Sequence, residues 1–153
     1  MAPAARNQEH KLIEEGRACM CFNLRKAARA VTQLYDEAMK SSGLGANQLS
    51  LLGITSAFGP ATITQLADGL VTDRTTLTRN VRRLEQKGLV RVQPGHDRRE
   101  HRVAITEKGR AVMGLVYPLW KDVQGRITKQ LGGARAERLL SDLAALVEAA
   151  KCC

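Results

Sequence analysis

Two short alternating segments, 89–93 and 102–106, interrupt a chain that otherwise reads as helix. The intervening PGHDRRE is a charged turn sequence. A two-stranded ribbon of this length is not stable alone in water and must lean on neighbouring helices. The spacing predicts a mainly α fold with a small β-hairpin wing: a winged helix–turn–helix flanked by long N- and C-terminal helices.

The helices follow from periodicity and punctuation. Residues 1–8 read as a disordered tip. From 9 to 40, Ile13, Met20, Leu24, Ala27, Val31, Leu34 and Ala38 recur at helical steps and mark one apolar face. Gly43 can end that helix, and a second covers 47–57 before Gly59-Pro60. Thr62 and Gln65 have capping-box spacing, so a short helix runs from there to about Gly69. Thr72 or Asp73 caps the next helix, which reaches Gln86 and stops at Gly88. Thr106 opens a long helix to about Gln130, with a bend expected at Pro118. Gly132-Gly133 precedes a last helix over 134–151.

Charge points to the partner. The segment 72–109 holds ten Lys or Arg against five Asp or Glu, so it carries +5 of the chain's net +9 in about a quarter of its length. A cation patch concentrated on a helix and hairpin suits duplex DNA. Aromatic residues make up 3% of the chain, too few for the stacking platforms of single-strand or RNA readers. No nucleophile–base grouping, phosphate-binding glycine loop or paired-carboxylate motif marks an enzyme. No cofactor is expected. The absence of an apolar run of membrane length or of a signal-type segment gives the expectation of a cytoplasmic protein without a membrane partner.

Leu77, Val81 and Leu84 form the buried stripe of the helix over 73–87. The remaining residues, projected at about 100° each, place Thr75, Arg79, Arg82 and Gln86 on the opposite side. Thr76, Thr78 and Arg83 flank them. Threonine can bond phosphate or base edges and touch thymine methyls, while Arg can fork onto guanine. Such a face suits the major groove. At the wing tip, Arg98 or Arg99 can reach the minor groove, with Asp97 holding Arg99 by an ion pair.

These residues resemble the multiple-antibiotic-resistance regulator (MarR) family of bacterial transcription factors. Asp97-x-Arg99 followed by Val103-x-Ile105-Thr106-x-x-Gly109 is similar to that family's wing signature. DRTTLTRNVRRLEQKGLV at 73–90 resembles its recognition helix and first wing strand. The resemblance spans about 12–150 and implies one domain over 1–153, with dimerisation helices at 9–40 and 110–151 around a DNA-binding lobe at 46–108. It implies a homodimer on a pseudo-palindromic operator, acting as a sequence-specific repressor released by a small ligand or by thiol oxidation. By position, Thr75, Thr76, Thr78, Arg79 and Arg82 would contact the major groove, and Arg98 or Arg99 would serve the wing. The alternative reading of the surface is an architectural winged helix that binds DNA without sequence choice.

Four cysteines, Cys19, Cys21, Cys152 and Cys153, lie at the two ends of the chain. Within one continuous helix, Cys19 and Cys21 point about 200° apart and cannot readily bridge each other. Some family members sense organic peroxides through a cysteine early in the first helix, a region similar to that of Cys19 and Cys21. Three readings stay open: a redox sensor, a thiophilic metal or metalloid site, and small semi-buried residues with an inert tail. The spacing is not a zinc pattern, and no metal site is assigned. His10, His96 and His101 read as surface residues.

Overall fold

The computed structural model describes residues 3–95 and 100–152. Seven helices and three short strands follow in the order α1 (Pro3–Gly16), α2 (Met20–Met39), α3 (Ala46–Phe58), β1 (Ala61–Thr62), α4 (Ile63–Leu70), α5 (Arg74–Gln86), β2 (Val90–Pro94), β3 (His101–Ile105), α6 (Glu107–Leu131) and α7 (Gly133–Lys151). A 3-10 turn, Lys40–Ser42, closes α2, and Gly43 takes the left-handed conformation after it. The winged helix–turn–helix expected from the sequence is present.

The N-terminal region departs from expectation. Helix begins at Pro3, where a disordered tip was expected, and the single helix over 9–40 is divided between α1 and α2. The break falls after Gly16, whose conformational freedom makes it a weak point in a helix. Asn23 holds the junction: its Nδ2 donates to the carbonyls of Arg17 at 2.8 Å and Cys19 at 3.0 Å. Cys19 is therefore not helical. It is the N-cap of α2, with φ −64° and ψ 116°, so the opposed-thiol argument, which assumed a continuous helix, no longer applies.

The capping signals expected between 62 and 88 hold in part. Thr62 Oγ1 accepts from the Gln65 N–H at 3.2 Å while Gln65 Oε1 accepts from the Thr62 N–H at 2.9 Å, a reciprocal box that starts α4. α5 ends in the expected way, with Gly88 at φ +71°. α4 ends differently. Gly69 stays inside the helix, and Val71 takes the left-handed position at φ 49°, ψ 51°. The Thr72 N–H reaches the Ala67 carbonyl at 3.0 Å and the Val71 N–H that of Asp68 at 3.2 Å, completing a Schellman closure on a β-branched residue. Gly69 serves packing instead: a Cβ there would collide with Ile54 of α3.

The sheet has a third strand that was not expected. β1 pairs with β3 through Ala61↔Val103 and Thr62↔Arg102, giving the antiparallel order β1-β3-β2. β2 and β3 pair from Val90↔Ile105 to Pro94↔His101. Flanked on both edges, β3 contributes three consecutive buried residues, Val103, Ala104 and Ile105. Val103 and Ile105 join Leu51 and Leu52 of α3, Leu66 of α4, and Leu77, Val81 and Leu84 of α5 in one buried core. The expected α5 stripe is thus confirmed, and each such side chain contributes about 1.5–3 kcal/mol on burial.

α6 is continuous through Pro118, whose ring removes one backbone donor from the helix. Its start is fixed on the wing. Thr106 Oγ1 accepts from the Gly109 N–H at 3.0 Å and lies 2.7 Å from the Gly88 carbonyl oxygen, to which it donates. The Thr106 N–H also reaches the Leu89 carbonyl at 3.1 Å. Gly109 is required by proximity, since a Cβ there would overlap the Leu89 carbonyl oxygen and lie 2.8 Å from Ile105 Cγ1. Backbone cannot yield as a flexible side chain would. Gly109→Ala is therefore expected to destabilise the fold by about 2 kcal/mol or more, read as a fall in thermal midpoint of several degrees. An unchanged midpoint would refute the close approach.

Candidate nucleic-acid interface

α5 presents its polar face because Leu77, Val81 and Leu84 anchor the opposite one. Thr75, Thr78, Arg79 and Arg82 are exposed, and Thr76 is half-buried. Thr75, Thr78, Arg79 and Arg82 line one shallow concavity of about 360 Å³ together with Arg74. Thr76 is set aside from it, its N–H donating to Asp73 at 2.8 Å. The structure thus brings together four of the five α5 residues singled out from sequence and adds Arg74. That arginine occupies the first helical position after the Asp73 cap, a place the helical projection passed over because it began at the stripe.

Three guanidiniums, those of Arg74, Arg79 and Arg82, therefore share one surface. Among the described residues no carboxylate forms an ion pair with any of them. Like charges without counter-charges set up a local field that favours a polyanion. Thr78 has a more limited role than its hydroxyl suggested. Its Oγ1 donates to the Arg74 carbonyl at 2.7 Å, leaving oxygen lone pairs and a methyl group to face outward.

Asp73 orients the start of this helix. Its Oδ1 accepts from the Thr76 N–H, and that backbone bond is the main reason its carboxyl is held below the ordinary aspartate range, with the Thr76 hydroxyl next. The wing is tied in from the other side. Glu85 Oε1 accepts from the Val92 N–H at 3.0 Å, joining α5 to β2. Arg102 pairs with Glu100, and its Nη1 reaches the Pro60 carbonyl at 3.3 Å. Arg102 lines a small groove with Pro60, Gln93, Pro94 and Gly95. The sequence reading put the wing's ion pair at Asp97 and Arg99. Those residues, with His96 and Arg98, lie outside the described residues, and the described wing pair is Glu100–Arg102.

A second cavity lies between the lobe and the long helices. It encloses about 540 Å³ and is lined by Tyr35 and Met39 of α2, Ala46, Leu49, Ser50 and Gly53 of α3, and Met113, Tyr117 and Trp120 of α6. None of these carries a formal charge. Tyr117 and Trp120 stack with centroids 6.0 Å apart. Tyr35 donates to Gln124 Oε1 at 2.6 Å, tying α2 to α6, and burial raises its phenol pKa.

Cys19, Cys21 and Cys152 are free and exposed, which corrects the semi-buried reading of the first pair. Cys153 lies outside the described residues. Among the described residues no cluster of three or more His, Cys, Asp or Glu could hold a metal ion. No described helix is long and apolar enough to cross a membrane.

Comparison with known proteins agrees with this geometry. Residues 42–100 match the model of the MarR family. The transcriptional regulator MosR of M. tuberculosis, solved in complex with DNA, is 41% identical; the match covers 88% of this chain and 98% of that one at a TM-score of 0.81. The transcriptional repressor CouR, solved bound to a 23-mer DNA duplex, is 27% identical over 87% of this chain and 95% of that one, with a TM-score of 0.80. A helix–turn–helix-type transcriptional regulator of Bacillus subtilis (strain 168), YwoH, is 31% identical over 89 residues; the chain spans 65% of its length, and the match covers 58% of this chain.

Acid stability checks the α5 cap. The lowered Asp73 value means that its stabilisation is present above the unfolded aspartate pKa of about 3.9. It is lost only as pH falls through the still lower folded value. Asp73→Asn, which keeps the acceptor, is expected to remove this acid dependence, whereas Asp73→Ala lowers the melting temperature already at neutral pH. Thermal melts from neutral pH into acid distinguish them, and identical pH profiles for wild type and Asp73→Asn would contradict the assignment.

Proposed function

Since the chain belongs to the MarR family of winged helix–turn–helix, DNA-binding transcriptional regulators, we propose that it is a homodimeric, sequence-specific repressor released by a small uncharged ligand. The observation that carries the DNA reading is the uncompensated Arg74–Arg79–Arg82 surface, with Thr75 and Thr78 among the guanidiniums. In this reading Arg79 and Arg82 fork onto base edges in the major groove, and Thr75, Thr76 and Thr78 contribute methyl and oxygen contacts. Arg74, at the helix N-terminus, neutralises phosphate. Arg98 and Arg99 serve the adjacent minor groove, with Asp97 as the brace. The lobe over 46–108 reads DNA, and the helices over 9–40 and 110–151 pair two subunits on a pseudo-palindromic operator.

The long helices support the dimer. Met20, Phe22 and Val31 of α2 and Leu139, Leu140 and Val147 of α7 are all at least 39% exposed. An apolar surface so extended is unusual on a monomer and suits a second subunit.

Base reading and phosphate contact make different demands on DNA fragments selected by the protein. Arg82→Ala is expected to cost about 1–3 kcal/mol on the preferred sequence and to relax one position. Arg74→Ala weakens binding evenly across sequences and lowers the salt slope by about one. Wild-type protein that binds selected and random duplexes equally at fixed salt would favour the architectural reading.

The cavity between α2, α3 and α6 supports ligand release. Its volume lies within the roughly 300–1,000 Å³ usual for small-molecule sites, and its charge-free, aromatic wall suits a neutral planar compound. An anion would lose its hydration there without a cationic partner. A ligand binding better to the arrangement that cannot grip DNA would shift the population toward it.

A second reading, release by oxidation, is favoured by the exposure of Cys19 and Cys21 at the α1–α2 break. A hydroperoxide would oxidise one thiolate to a sulfenic acid and leave as the alcohol. A second thiol, from Cys21, Cys152 or Cys153, would then form the disulfide with loss of water. The same thiols binding a thiophilic metal or metalloid is the remaining alternative. Trp120, the chain's single tryptophan, lines the cavity and reports on it. In DNA-bound protein challenged in parallel, a neutral aromatic amide should quench Trp120 and release DNA, and its carboxylate analogue should not. DNA release by hydroperoxide alone, reversed by dithiol, would favour the cysteines instead. Equal action of amide and carboxylate would refute the neutral-ligand assignment.

A further inference from the structure

Lys87, the C-cap of α5, is exposed and pairs with no carboxylate among the described residues. Its ammonium instead crosses to a distant part of the chain. Nζ donates to the Gly43 carbonyl at 2.7 Å and to Gln48 Oε1 at 3.3 Å. Gly43 closes the 3-10 turn after α2, and Gln48 lies in the first turn of α3. The Lys87 carbonyl also accepts from Lys108 of α6 at 2.7 Å. One residue at the end of the arginine-bearing helix therefore touches the turn after α2, the start of α3 and α6. Those are the three helices that wall the cavity.

The turn between α2 and α3 is built to pass on a displacement. Ser42 Oγ donates to the Met39 carbonyl at 2.6 Å and accepts from the Leu44 N–H at 3.2 Å. The Ala46 N–H donates to Asp36 Oδ1 at 2.7 Å, and the Gly45 N–H to Gln48 Oε1 at 3.4 Å. Met39 and Leu44 are buried, so the turn is pinned by packing as well as by hydrogen bonds. Such segments shift between discrete arrangements and do not deform continuously. Met39, Ala46 and Leu49 line the cavity, and Gly43 and Gln48 lie between and beside them in the chain. A group entering the cavity thus presses on the segment that holds both acceptors of Lys87.

We propose that Lys87 is a positioning residue for DNA reading. Its ammonium holds the end of α5 to the 43–48 segment, and through that tie an occupied cavity displaces the Arg74–Arg79–Arg82 face. The inference rests on the ligand reading of the cavity proposed above, to which it adds the residue linking cavity and α5. Charge-assisted bonds suit the task, being stronger than neutral ones.

Gly53 allows a test that does not depend on knowing the ligand. It lines the cavity from within α3, and a Cβ there would meet nothing within 4 Å. Gly53→Leu therefore fills the space with a good helix former. Affinity for the selected duplex at fixed salt is compared for wild type, Gly53→Leu, Lys87→Met and the double variant, with thermal melts to confirm folding. Filling should weaken binding about fivefold or more when Lys87 is present. In the Lys87→Met background it should change binding by less than about twofold. Lys87→Arg, which keeps a charged donor, should restore the response. Benzamide, with quenching of Trp120 reporting its entry, should show the same dependence on Lys87. A lysine with a structural role alone would lower affinity or melting temperature yet leave the two substitutions additive, so additive losses overturn the inference. Wild-type affinity unmoved by both Gly53→Leu and benzamide overturns the cavity reading on which it rests.

Discussion

The arrangement depends on one close approach between backbones, that of Gly109 to Leu89. At this point the end of α5, the start of β2 and the first turn of α6 share a single node. Thr106 bonds to Gly88 and receives the Gly109 N–H, while its own N–H reaches Leu89. Neutral hydrogen bonds of this kind contribute about 1 kcal/mol each. Together they fix directions: α5 leaves the node toward its exposed arginines, and α6 leaves toward the long helices. Lys108 adds a further tie, its Nζ donating to the Lys87 carbonyl at 2.7 Å. The orientation of the polar face relative to the long helices is thus set within a few residues.

What could be read from the sequence was local. The Thr62–Gln65 box, the Asp73 cap, the Gly88 stop and the Leu77–Val81–Leu84 stripe each depend on neighbours within about two turns, and each appears in the structure. Features requiring distant partners were missed. β1 is two residues long and becomes a strand only because β3 lies beside it, about 40 positions later. Gly69 looked like a helix stop because its second role, contact with Ile54, belongs to another helix. Val71 gave no signal, since a β-branched residue is among the least expected in the left-handed region. The α1–α2 break was marked by Gly16, but the apolar spacing continued through it and favoured one helix.

The same limit applies to the site. Thr75, Thr78, Arg79 and Arg82 were found because the helical period alone brings them to one face. Arg74 emerged only when the Asp73 cap fixed where that face begins. The cavity had no signal in the chain at all, because its wall is assembled from α2, α3 and α6, three segments separated by tens of residues. Its single tryptophan and two tyrosines are unremarkable in sequence and become an aromatic wall only in space.

The β1–β3 pairing has a consequence for how the chain can vary. By joining residues 61–62 to 102–103, it closes a loop that contains α4, α5 and β2. The helix with the arginine face is therefore held from both sides inside a ring of chain, while α1, α2, α6 and α7 all lie outside it. Substitutions on the exposed faces of those outer helices leave the composition of the ring unchanged. The small strand thus makes two surfaces separable along the chain: the one presented by α5 inside the ring, and those presented by the helices outside it.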